Sequence, residues 1–154
     1  MPDLTTLCVE SRQIEGLRSE VRARSFTLVL DEPESLGGSN SGPTPAELVL
    51  ASLAACQQMT YRLQAQRLGV PLEGLEVKVS GEIELAGYLE GARDAKPGFR
   101  SIRVEVAVES PLDDVALVRL KEEVDRLCPV LSAIRGATEV TLAWRRSAPQ
   151  EAVA

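Results

Sequence analysis

The order of elements legible in this 154-residue chain predicts an α+β fold. Three observations carry it. Short strand-like runs come first. One long uncharged stretch with clear helix boundaries follows. Two alternating runs then precede two more helices and a final strand. This is not a regular strand–helix alternation, so α+β is preferred to a parallel α/β sheet.

Each element has a local reason. Leu4–Val9 and Leu17–Val21 read as short strands broken around Gly16, and Phe26–Leu30 as a better strand ending at Asp31-Glu32-Pro33. The Gly, Ser and Pro content of Leu36–Pro43 predicts a loop. Thr44 then offers an N-cap, Pro45 fits the first helical position, and Glu47 stands three residues after the cap. Gly69 and Pro71 mark the stop. A helix from Pro45 to about Leu68 would be about 36 Å long. Its first half is apolar all round, which predicts enclosure on more than one side.

Leu75–Leu85 and Ile102–Val108 alternate as half-buried strands, joined by a polar, glycine-rich segment, Gly87–Gly98, expected to be a mobile hairpin connection. Pro111–Leu127 is amphipathic, with Leu112, Val115, Leu117, Leu120 and Val124 on one side. Cys128-Pro129 opens a shorter helix to about Arg135, stopped by Gly136. Glu139–Trp144 reads as a last strand and 147–154 as a frayed end. The length fits one domain over 1–154.

Composition narrows the function classes. Net charge is −6, which disfavours nucleic acid and anionic membranes as partners. The uncharged run Leu48–Tyr61 is shorter than the roughly 20 apolar residues a membrane span needs. Three cysteines without compact spacing do not form a secreted framework, and no signal peptide is legible, so the cytoplasm is expected. The chain has no histidine, which removes Cys-His and Ser-His-Asp catalysis. No zinc spacing and no phosphate-loop motif is present, so neither metal nor cofactor is expected.

The thiols remain. Cys56 sits in the long helix, where a buried cysteine most often packs as a small hydrophobe. Its helical neighbours Ser52, Leu53, Met59 and Thr60 include no base or cation. Cys128 precedes a proline-started helix. It reads either as a polar cap or as a thiol whose pKa is lowered by the helix dipole. Cys8 reads as structural. Glu47 is accounted for by the capping box. It lies about 180° round the helix and about 13.5 Å along it from Cys56, so it meets Cys56 only if the helix bends or a second subunit intervenes.

The run Gly37–Cys56, the spacing to Cys128-Pro129-Val130, and Gly69–Leu75 together resemble the OsmC/Ohr family over about residues 17–144. The resemblance implies a long helix wrapped by antiparallel sheets in an intertwined homodimer. It implies a peroxidase in which Cys56 attacks an organic hydroperoxide and Cys128 resolves the sulfenic acid to a disulfide. An external dithiol, often lipoyl in the family, then reduces that bond. The family's best-known peroxidases carry a glutamate immediately after the motif proline, paired with an arginine that activates the thiolate. Here that position is Ala46 and the glutamate is Glu47. Arg18, Arg22 and Arg24 are the arginines of the N-terminal strands, and Arg24 is taken as the activating one. The Ala46 departure motivates an alternative, a small-molecule binding protein on the same scaffold. A purely structural interaction module is a third reading.

Overall fold

Helix-forming signals at both ends of the uncharged run act as expected in the computed structural model, which describes residues 4–85, 97–136 and 138–143. Helix α1 spans Pro45–Leu68. The Glu47 amide donates to Thr44 Oγ1 at 3.1 Å, and the Thr44 amide donates to Glu47 Oε2 at 2.8 Å. Two amides that the helix leaves without partners are thereby satisfied. At the far end Gly69 takes a left-handed φ of 67°.

Before α1 lies an antiparallel sheet of β1 (Glu10–Glu15), β2 (Arg18–Ala23) and β3 (Phe26–Leu30), in that order. The expected Leu4–Val9 strand is not formed, and the first strand begins one residue later. Leu4 and Leu7 are each 89% exposed, so their apolar pattern found nothing to pack on. Strand β1 is held by pairing instead: Glu10 faces Arg22, and Arg12 faces Glu20 with their charged ends 4.0 Å apart.

After α1, strands β4 (Gly74–Ile83) and β5 (Phe99–Glu109) form a hairpin that lays one face on α1. The segment expected to be a mobile connection falls almost wholly on 86–96, outside the described residues. Helix α2 (Asp114–Leu127) starts three residues later than expected, because Asp113 caps it by accepting from the Ala116 amide. Helix α3 (Pro129–Ile134) follows without a loop. The expected strand over Glu139–Trp144 is not seen: 138–143 carry no ladder, and Trp144 lies outside the described residues. Val140 and Leu142 are exposed, with no neighbouring edge among the described residues to pair with.

The core lies on one side of α1, where Tyr61 and Ala65 meet Leu120 and Val124 of α2, with Leu75, Val106 and Val108 against them. The other side is open: Ala51, Ser52, Ala55, Met59 and Leu63 are exposed. The all-round enclosure expected for this helix is therefore not reached within one chain. β1–β3 also keep apolar side chains in solvent, with Phe26 and Leu28 60% and 47% exposed.

The loop into α1 is organised by one carboxylate. Asp31, 2% exposed, accepts from the amides of Glu32, Ser39 and Ser41 and from both serine hydroxyls. The glycines permit this closeness. A Cβ on Gly38 would lie 1.9 Å from the Glu32 carbonyl oxygen, and one on Gly42 2.2 Å from that of Val29. The Ser39 hydroxyl is the largest influence holding the Asp31 carboxyl far below its usual range; burial opposes it, and the Ser41 and Glu32 amides reinforce it.

Two outcomes are expected. Leu120→Ala removes a fully buried side chain and should cost about 2–5 kcal/mol in urea unfolding. Asp31 has a depressed folded pKa, so its stabilisation is present above the unfolded value of about 3.9 and fades as pH falls below it. Asp31→Asn should therefore lower the Tm at neutral pH, with the gap to wild type closing below about pH 4. A gap independent of pH would show that the charge is not what stabilises the loop.

Candidate active site

A proline builds the corner that carries the second thiol. Pro129 disfavours helical backbone at the residue before it, so α2 must end at Cys128. Cys128 adopts φ −71° and ψ 110° and serves two helices at once. Its amide donates to the Val124 carbonyl at 2.9 Å, and its carbonyl accepts from Ser132 at 3.0 Å. With its backbone held on both sides, the side chain projects from the corner toward α1.

There it meets Cys56. The two Sγ atoms are 3.3 Å apart, with the Cys128 thiol placed to donate to Cys56 across a separation of 72 residues. Both are free thiols; Cys128 is fully buried and Cys56 partly open. One turn beyond, the Thr60 hydroxyl donates to the Cys56 carbonyl at 2.7 Å. A threonine four residues after a helical carbonyl is the only signal for that contact in the sequence.

The electrostatics correct the dipole expectation for Cys128. Its pKa is raised, first by burial and then by the neighbouring Cys56 sulfur; the amides of Leu131 and Val130 act the other way and are outweighed. A buried, protonated Cys128 beside a more accessible Cys56 makes the two thiols unequal. Burial keeps the proton on Cys128, and Cys56 is the sulfur that solvent can reach.

The other expected site residues are held elsewhere. Glu47 is exposed and engaged in the capping box. Arg24 lies in the β2–β3 turn with a left-handed φ of 56°, its guanidinium 5.1 Å from the centre of the Phe26 ring. Arg22 pairs with Glu20 at 2.8 Å, and Arg18 lies 3.8 Å from Glu15. Ala46 lines an apolar cavity of about 370 Å³ with Leu50, Ile83, Leu85 and Phe99, and neither sulfur borders it. Among the described residues no cluster of His, Cys, Asp and Glu suits a metal ion. No described helix is long and apolar enough to cross a membrane.

An α+β fold with a paired thiol between a long helix and a proline corner defines the class. The OsmC-like protein model matches residues 38–143, and the chain belongs to that family. It is 30% identical over 115 residues, 73% of this chain and 75% of the other, to an organic hydroperoxide resistance protein of Xanthomonas axonopodis pv. citri. The same fold occurs in an OsmC-like protein from Mycoplasma pneumoniae, with TM-score 0.74, 21% identity, and 86% and 89% of the two chains covered. It recurs in an organic hydroperoxide resistance protein OsmC from Legionella pneumophila, with TM-score 0.67, 22% identity, and 87% and 92% covered.

Thiolate absorbance against pH checks the inequality of the thiols. Cys128 should ionise above the usual thiol value of about 8.5. Cys56→Ser should bring that midpoint down, because it removes a neighbouring sulfur that raises it. A midpoint that stays put or climbs would refute the coupling.

Proposed function

We propose that this protein is a thiol-dependent peroxidase for organic hydroperoxides. The observation that carries the reading is the 3.3 Å approach of two unequal thiols. The relative from Xanthomonas, named for organic hydroperoxide resistance, supplies the substrate class.

Cys56 is the attacker. Its thiolate sulfur bonds to the terminal peroxide oxygen as the O–O bond breaks, giving a sulfenic acid and an alkoxide, which takes a proton to leave as the alcohol. Cys128 is the resolver. Its sulfur displaces the sulfenic oxygen as water, and the two sulfurs join. The peroxide has then taken two electrons from the thiol pair. An external dithiol, with a lipoyl group as the expected type, reduces the disulfide by exchange. The burial that keeps Cys128 protonated suits this order, because the resolving thiol then competes little for peroxide.

A homodimer belongs to the reading. The open side of α1 and the apolar side chains of β1–β3 are surfaces that a second copy would cover. Arg24 and Glu47 enter as the charged residues proposed to support the Cys56 thiolate. Each is held elsewhere within one chain, so their part depends on a second copy bringing them to the sulfur.

One observation favours a second reading, a small-molecule binding protein on the same scaffold. Ala46 replaces a carboxylate with a methyl group that lines an apolar cavity. Peroxide consumption separates the two. With cumene hydroperoxide and excess dihydrolipoamide, wild type should turn over. Cys56→Ser should lose essentially all activity. Cys128→Ser should accumulate a sulfenic acid that dimedone traps. Equal peroxide loss by wild type and Cys56→Ser, with both thiols unoxidised by mass, would leave the binding reading in its place.

A further inference from the structure

The thiol chemistry leaves the apolar cavity at the start of α1 unused, since neither sulfur borders it. Its volume of about 370 Å³ falls among small-molecule sites. The walls have a local origin. Pro45, Ala46 and Leu50 present the first turns of α1, and Ile83 and Phe99 close the chamber from β4 and β5. Gly81 lets the two sides meet: a Cβ there would lie 2.6 Å from the Phe99 ring and 3.1 Å from Leu50 Cδ2.

The polar groups of this chamber carry one sign of charge. Apart from Thr44, the polar side chains that line it are two glutamates, the part-buried Glu32 and the exposed Glu47. Neither forms an ion pair with another described residue. No lysine or arginine among the described residues lines the cavity. Asp31, the neighbour of Glu32, is already saturated by the amides and hydroxyls of its own loop. Glu47 Oε2 accepts from the Thr44 amide, which leaves its charge and its other oxygen in place. Little at this helix end invites an anion. Pro45 has no amide hydrogen, and the Thr44 and Glu47 amides are spent in the capping box. The interior is apolar and its rim is acidic.

We propose that this cavity binds a small organic cation with an apolar body, of the primary alkylammonium type. The aliphatic walls and Phe99 take the chain. Glu32 and Glu47 take the ammonium, whose three donors match carboxylate oxygens. An aromatic ring also favours a nearby cation over an anion. The apolar body supplies affinity, and the carboxylates select the sign of charge. The proposal gives a ligand class to the binding reading of this cavity and rests on that reading, not on the thiols.

Calorimetric titration of the full chain near neutral pH with octylammonium chloride tests the proposal. Octanol and sodium octanoate are the uncharged and anionic forms of the same chain. Octylammonium should bind most tightly and octanoate least. Glu32→Gln combined with Glu47→Gln should weaken octylammonium about threefold, the worth of an exposed ion pair, and leave octanol unchanged. Glutamine at 47 still completes a capping box, so the start of α1 is kept. Ala46→Phe should fill the chamber and abolish the heat from octylammonium and octanol alike. No octylammonium binding by wild type, or equal affinity for all three compounds, overturns the site. Binding indifferent to the glutamine pair or to Ala46→Phe overturns it as well.

Cys56→Ser separates this site from the thiols. It should leave octylammonium binding unchanged, and a loss would place the ligand at the sulfurs and overturn the cavity. Peroxide turnover without octylammonium binding would sink the cavity proposal alone. Octylammonium binding with the expected dependence on the glutamates, in a protein that consumes no peroxide, would support the cavity and remove the peroxidase reading.

Discussion

One helix carries the packing of this protein, and it packs on one side only. The stripe of Leu53, Gln57, Tyr61 and Ala65 is buried, while Ala55, Met59 and Leu63 on the same helix face solvent. The β4–β5 hairpin, α2 and α3 all depend on that stripe for their contacts. Buried apolar area contributes about 25 cal/mol per Å², so a helix with half its surface in water forgoes much of its possible stabilisation. The same asymmetry puts Cys56 at the margin of the packed side, where it keeps access to solvent yet meets a fully enclosed Cys128.

Much of this was legible beforehand because the signals were short in range. The boundaries of α1 follow from Thr44, Pro45, Glu47 and Gly69, four residues acting on their own backbone. The corner at Cys128 follows from Pro129 in the same way. The elements that were misplaced depend on partners far away. Leu4–Val9 has the pattern of a strand but no surface to lie on. Glu10–Glu15, mostly polar, becomes a strand because its charges match those of β2. The run 139–143 likewise alternates without a neighbouring edge among the described residues to alternate against.

The site shows the same division. Two cysteines in distinct motifs could be named from sequence, but their closeness is a tertiary fact across 72 residues. Of the two readings open for Cys128, the lowered pKa comes from a local rule about helix ends and is overruled by burial, which no local rule contains. Asp31 drew notice only as the end of a strand. Its role depends on Ser39 and Ser41 folding back over it, which the glycines at 38 and 42 allow. That loop closes around the chain's own carboxylate.

The separation of the two thiols along the chain carries a consequence for any reductant. A bond between Cys56 and Cys128 would close a ring across 72 residues. Cross-links of that span restrict the unfolded chain by about 4 kcal/mol. Linkage requires the folded protein to favour the bond by the same amount. For a two-electron couple this corresponds to roughly 90 mV toward reducing potentials. The joined pair would therefore be harder to reduce in the folded protein than in its unfolded chain, and loss of the fold would ease its reduction.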